Sequence, residues 1–295
     1  ALALAQAAVT ANPGQAWAHS LQGDALLALW QVEQGLQAYQ QAVAVEPGDV
    51  NARLALGWLY FLRGNEEAAL QTIQQALALE PANPSAHLTM GKLYLALGER
   101  DRAIGQYQAA SRLNRHQPDG YLALGDLYSL DGQYELAEDA YRDALAAAPG
   151  NIIGRIALGH LFQQQEQYDK ALAEFQAAAA LDRSLAWPLL MAGTLFQELD
   201  NIPAARSAFE QAAAAEPGSA LAHVRLAELA QLDEDLETAR AELDQALAIH
   251  PGYAGTWEAM AFMAVREKMF EEALEFLEQA LSRDPGLTSA YEAVA

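Results

Sequence analysis

Cysteine is absent from the 295 residues, which excludes a disulfide framework and any thiolate metal site without fixing a compartment. Long apolar runs are absent as well. Charges, Gly or Pro interrupt every candidate before the roughly 18 residues that a membrane span requires. Basic residues are scarce, 17 Lys and Arg against 39 Asp and Glu, and the formal net charge of −22 repels phosphate. Nucleic acid and anionic membrane surfaces are therefore not expected partners. The same charge keeps an Ala-rich surface in solution and attracts a basic protein.

Motifs that carry chemistry are missing too. There is no phosphate-cradling Gly-rich loop ending in Lys-Ser/Thr, no His-Glu-x-x-His pair and no Gly-x-Ser-x-Gly elbow. Gly150, Gly154 and Gly159 lack the preceding strand that a dinucleotide site needs and read as packing glycines. The triplet Asp233-Glu234-Asp235 lies on a turn without calcium-loop spacing. No catalytic residue, metal or cofactor is expected.

What is present is repetition. Between Pro118 and Asn151, Tyr121, Leu124, Gly125 and Tyr128 recur at helical spacing, Gly132 interrupts, Ala137, Tyr141 and Ala144 form a second stripe, and Pro149-Gly150 stops it. Small residues at Gly125, Ala137 and Ala144 leave room only for a neighbouring backbone, so two closely packed antiparallel helices follow. Steps of 34 residues link Gly23, Gly57, Gly91, Gly125, Gly159 and Gly193, and continue as Ala227 and Ala261. They also link Pro13, Pro47, Pro81, Arg115, Pro149, Arg183, Pro217, Pro251 and Pro285. Eight units without insertion result: 16–49, 50–83, 84–117, 118–151, 152–185, 186–219, 220–253 and 254–287. Residues 1–15 match the second helix of a truncated upstream unit, and 288–295, with Tyr291, the start of a ninth unit or a cap. Neither end has the polar character of a cap, so a fragment of a longer protein, or ends that stack on another molecule, are expected.

The order aromatic, Leu-Gly, Tyr, Ala, aromatic, Ala, Pro over 34 residues resembles the tetratricopeptide repeat. The resemblance covers essentially the whole chain. It implies an all-α fold, a right-handed superhelical α-solenoid of helix-turn-helix units, and a concave groove lined by the first helices. Departures are local. His19, Arg53, His87, Arg155, Leu189 and His223 stand at position 4 of their units, where the family often has tryptophan. Arg115 and Arg183 replace junction prolines, and Ala230 and Ala264 replace larger side chains, so the last two units are expected to be less stiff. His19, His87 and His223 are expected to pack within their own units, whereas His160 faces the groove.

Positions 2, 5, 9, 12 and 13 of each first helix lie opposite its packing stripe, since each residue advances about 100°. The candidate partner-binding groove read from them comprises Trp17, Asp24, Trp58, Phe61, Leu62, Lys92 and Leu95, then Asp126, His160, Gln163, Trp187 and Gln197, then Glu228 and Phe262. Gln231 also falls on this face. Trp58, Phe61 and Leu62 read equally as packing between adjacent first helices. Position 5 is aliphatic in most units (Leu54, Leu88, Leu122, Ile156, Leu190, Val224) and reads as packing. The lysine, asparagine and arginine clamp by which some family members hold acidic C-terminal tails is missing, as is the asparagine ladder of O-linked GlcNAc transferases.

The expected function is a non-enzymatic scaffold that binds a protein segment with basic and aliphatic residues. Two alternatives stay open: the substrate-recruiting or regulatory arm of a larger, glycosyltransferase-like enzyme, and a homo-oligomer formed through the solenoid ends. No targeting signal is read near Ala1, and a cytoplasmic location is the expectation.

Overall fold

The computed structural model describes residues 1–287; the expected ninth unit at 288–295, Tyr291 included, lies outside the described residues. Among the described residues there are seventeen α-helices and no strand. The chain forms two compact units, Ala1–Gly154 and Arg155–Ala295. Unit 1 holds α1 (Leu2–Ala11), α2 (Ala16–Leu27), α3 (Val32–Val45), α4 (Val50–Leu62), α5 (Glu66–Leu79), α6 (Pro84–Ala96), α7 (Arg100–Leu113), α8 (Asp119–Leu130) and α9 (Tyr134–Ala147). The division falls in the first turn of α10 (Ile152–Gln164). Unit 2 continues with α11 (Tyr168–Leu181), α12 (Trp187–Glu198), α13 (Ile202–Ala215), α14 (Ala220–Leu232), α15 (Leu236–Ile249), α16 (Ala254–Arg266) and α17 (Phe270–Arg283).

Within each unit the packing is that of a solenoid. First helices lie on the second helix of their own repeat, as α4 on α5 and α14 on α15, and second helices lie on the next first helix, as α5 on α6 and α15 on α16. First helices also touch directly, α4 with α6 in unit 1 and α14 with α16 in unit 2.

The reversal inside every repeat is set by one backbone conformation. Gly64, Gly98 and Gly132 adopt φ of 73°, 78° and 71°, and Trp30, Glu166, Asp200, Glu234 and Lys268 occupy the equivalent place at 57° to 62°. The following amide then reaches back to close the helix: Asn65 N–H donates to the Tyr60 carbonyl at 2.9 Å and Gln133 N–H to that of Tyr128 at 2.9 Å. Side chains disfavour this conformation by about 1 kcal/mol or more, so the non-glycine turns hold some strain.

Close helix contact follows from the glycine series. A Cβ on Gly125 would stand 2.4 Å from the Tyr141 ring, and Gly23, Gly91, Gly159 and Gly193 meet Tyr39, Tyr107, Phe175 and Phe209 in the same way. Where the second helix offers the slimmer Leu243 and Leu277, both fully buried, the glycine becomes Ala227 and Ala261. Gly57, whose Cβ would stand 2.5 Å from Ile73, keeps glycine against an aliphatic side chain, so the exchange of volume is seen in the last two repeats. Ala230 and Ala264 are themselves buried, and α14 closes onto α16 beside them.

Two junctions depart from the regular spacing, and they are those where arginine replaces proline. After Arg115 and Arg183 the next helix starts at Asp119 and Trp187, one residue later than the 34-residue step requires. Asp49, Asn83 and Asn151 cap the helices that follow them, whereas Gln117 and Leu185 at the equivalent places make no such bond among the described residues.

Position 4 does more than pack. His19 Nε2 and His87 Nε2 lie 2.9 and 3.0 Å from the carbonyls of Pro13 and Pro81, Arg53 donates to Pro47 and Trp257 to Pro251. His87 Nδ1 also meets Gln106 on its own second helix, and His223 Nδ1 meets Glu242, each at 2.7 Å. In these four repeats the side chain ties the helix to the preceding turn by a hydrogen bond, which a histidine, an arginine or a tryptophan can each supply.

Candidate protein-binding face

In unit 1 the first helices α2, α4, α6 and α8 present the candidate residues. Trp17 is half exposed (52 %) on α2, one turn from Leu21, which is also exposed. Asp24 completes that stripe and accepts a short hydrogen bond from the Tyr39 hydroxyl. On α4, Trp58 and Phe61 pair at 5.3 Å between ring centroids, and Leu62 beside them is 55 % exposed. Phe61 also leans on the core formed by Leu54, Ile73 and Met90, as does Leu95 of α6. Lys92 is exposed. Asp126 on α8 accepts from the Tyr141 hydroxyl at 2.7 Å.

The phenols beneath these carboxylates are locked in their neutral form. Burial pushes the Tyr141 and Tyr39 hydroxyls above their ordinary range, and the hydrogen bonds and charges of Asp126 and Asp24 push further. Burial, with the Asp126 charge, moves Tyr107 to about 12. Asp126 is itself held above the usual carboxylate range by desolvation, which outweighs the stabilising bond from Tyr141.

In unit 2 the first helices α10, α12, α14 and α16 carry the rest. His160 is exposed and meets the Phe175 ring edge-on at 5.2 Å. Gln163 donates to Glu198 at 2.7 Å, Trp187 is 44 % exposed, and Gln197 is half-buried. Glu228 is already paired with Arg225 at 2.8 Å. Phe262 is 41 % exposed. Gln231, read from the sequence as groove-facing, is buried and donates to the Ala259 carbonyl at 3.3 Å. It packs inward because small Ala230 and Ala264 bring α14 and α16 together.

Sequence reasoning missed Ser20, Leu21 and Asp49, which join Trp17 and Asp24 around one cavity. The signal was available for Leu21: Trp17, Leu21 and Asp24 are spaced four and three apart, one face of a helix. It also missed Trp30, 89 % exposed at the first left-handed turn.

Sequence models of the tetratricopeptide repeat match residues 20–85, 88–152 and 190–254, and a second model of the same repeat matches 155–185 and 254–287. The chain belongs to the tetratricopeptide repeat family. Members of this family are in general interaction scaffolds that bind protein partners, and the reading of a protein-interaction scaffold holds in that general form for this tetratricopeptide protein. No curated protein matches the chain. Among solved structures, yeast Tom70 is 19 % identical over 99 % of this chain and 61 % of its own, with a TM-score of 0.67. PilF of Pseudomonas aeruginosa is 22 % identical over 72 % of this chain and 96 % of its own, at 0.53. The structure of the APC/C hetero-tetramer Cut9-Hcn1 gives 20 % identity over 89 % of this chain and 52 % of the matched one, at 0.53. At these identities the likeness shows a shared fold.

Proposed function

We propose that the chain is organised as the eight repeats delimited above and that it is a non-enzymatic scaffold binding a protein segment along the faces of its first helices. The observation that carries the reading is the Trp58–Phe61 ring pair with Leu62 exposed at its side. Solvent-facing aromatic and aliphatic side chains in contact are the usual anchors of protein interfaces. The segment inserts aliphatic side chains beside Trp58, Phe61 and Leu62, and sets basic side chains against Asp24 and Asp126 in unit 1. The net charge of −22 selects that basic character. The Cut9-Hcn1 structure, a hetero-tetramer, supports a protein as the ligand class.

The test compares proteins retained by the unaltered chain and by two variants, with affinity then measured for any protein retained differentially. Trp58→Ala with Phe61→Ala and Leu62→Ala should weaken that affinity by about 2 kcal/mol or more, roughly thirtyfold. Because Phe61 also touches the core, Leu62→Lys serves as a second variant that alters only an exposed position. It should repel a basic segment while leaving helicity intact; equal affinity for both variants and the unaltered chain rejects the site.

A further inference from the structure

Between α2 and α4 of unit 1 lies a cavity of about 530 Å³ whose walls include Trp17, Ser20, Leu21, Asp24, Asp49 and Asn51. Its chemistry is one-sided. None of the residues around it is basic, and neither Asp24 nor Asp49 is in an ion pair among the described residues. Each carboxylate is nonetheless held in place through one oxygen. Asp24 Oδ1 accepts from the Tyr39 hydroxyl, and Asp49 Oδ1 accepts from the Ala52 N–H at 3.0 Å as the cap of α4. The second oxygen of each accepts no hydrogen bond among the described residues. Both carboxylates and the Tyr39 phenol line the same cavity. The half-exposed Trp17 lines the cavity with them, and Ser20 Oγ is shut off from solvent without a hydrogen-bond partner among the described residues.

The geometry points to a pocket for an arginine side chain of the bound protein segment, its guanidinium laid on the Trp17 indole and forked between the free oxygens of Asp24 and Asp49. A flat aromatic wall with two preset acceptors suits a planar cation with several N–H donors better than the compact ammonium of lysine. A metal ion is a poorer occupant, because no group of three or more His, Cys, Asp or Glu ligands gathers among the described residues. The aliphatic stem of the arginine lies along exposed Leu21. This pocket rests on the reading of the first-helix face as a protein-binding surface and adds the residue that the partner must supply.

The test is a titration of the ¹⁵N-labelled chain with the capped tripeptide acetyl-Leu-Arg-Leu-amide, followed at the Trp17 indole N–H, which Trp17→Phe assigns. A saturable shift at that resonance is expected. Asp24→Asn with Asp49→Asn should weaken it at least tenfold, with the circular dichroism spectrum unchanged, because asparagine still accepts from Tyr39 and still caps α4. The neutral isostere acetyl-Leu-citrulline-Leu-amide should bind the unaltered chain at least tenfold more weakly, a comparison that needs no variant to fold. Shifts scattered over the acidic surface without saturation at Trp17, or equal binding of the two tripeptides, overturn the pocket. Because the tripeptide reads the cavity alone and Leu62→Lys reads the wider face, either reading can fail while the other stands.

Discussion

At Gly125 a single hydrogen decides how closely two helices approach. Its Cβ position is 2.4 Å from the Tyr141 ring, so Gly125→Ala forces the ring or the backbone to move and should cost about 1–3 kcal/mol in thermal or denaturant unfolding. Ala227 faces Leu243 at the corresponding place in the seventh repeat. Gly125→Ala combined with Tyr141→Leu should therefore be less destabilised than the two single changes added together. Strict additivity would show that glycine is present for another reason. The phenols carry a second expectation. An unfolded tyrosine ionises near pH 10, whereas Tyr107 in the folded chain does so at about 12. Folding thus favours the neutral form; the contribution is complete below about pH 10 and is lost as pH rises through the folded value. Tyr39, Tyr107 and Tyr141 should stay un-ionised in a spectroscopic titration until the chain begins to unfold in alkali, and smooth ionisation of every tyrosine near pH 10 would contradict their burial.

Among the elements, α14 to α17 differ from their predecessors in what they bury. Their cores rest on Ala227, Ala230, Leu243, Ala261, Ala264 and Leu277, where α8 to α11 bury Tyr141, Phe162 and Phe175. Smaller side chains at these inner positions mean a smaller gain from each of those contacts, so amides of α14–α17 should exchange faster with deuterium than those of α8–α11. Equal protection would mean that the close approach of α14 and α16 compensates for the lost volume. The left-handed turns belong to the same scale. Five of them carry a side chain at φ near 60°, and the repeats hold that geometry because the helices on both sides are pinned by packing.

For the whole molecule, charge is the governing quantity. With 39 acidic and 17 basic residues, most carboxylates have no Lys or Arg to pair with. A basic partner is then steered from a distance, and its association rate should fall by about tenfold or more as salt rises from about 0.01 M to about 0.15 M. Stopped-flow mixing at the two ionic strengths checks this, and a salt-independent rate would leave apolar contact as the sole driving force.

The repeat length, the helix pairs and the all-α class were legible in the chain because they depend on local periodicity: a stripe every three to four residues, a stop, and the same again after 34. The aliphatic position 5 was also legible as packing, and Leu54, Ile156, Leu190 and Val224 are buried. Which polar residue finds which partner was not. Gln231 turns inward to the next first helix, and His19, Arg53, His87 and Trp257 tie themselves to the carbonyl six residues earlier, outcomes that depend on side-chain reach rather than on the periodic stripe. The pairing of glycine with an aromatic ring or with Ile73, and of alanine with leucine, joins residues 16 apart in sequence and became visible only when the helices met. The cavity at Trp17 needed the tertiary structure most of all, since Asp24 belongs to one first helix and Asp49 to the cap of the next. Periodicity can set each on its helix, but only packing brings their carboxylates to the same space.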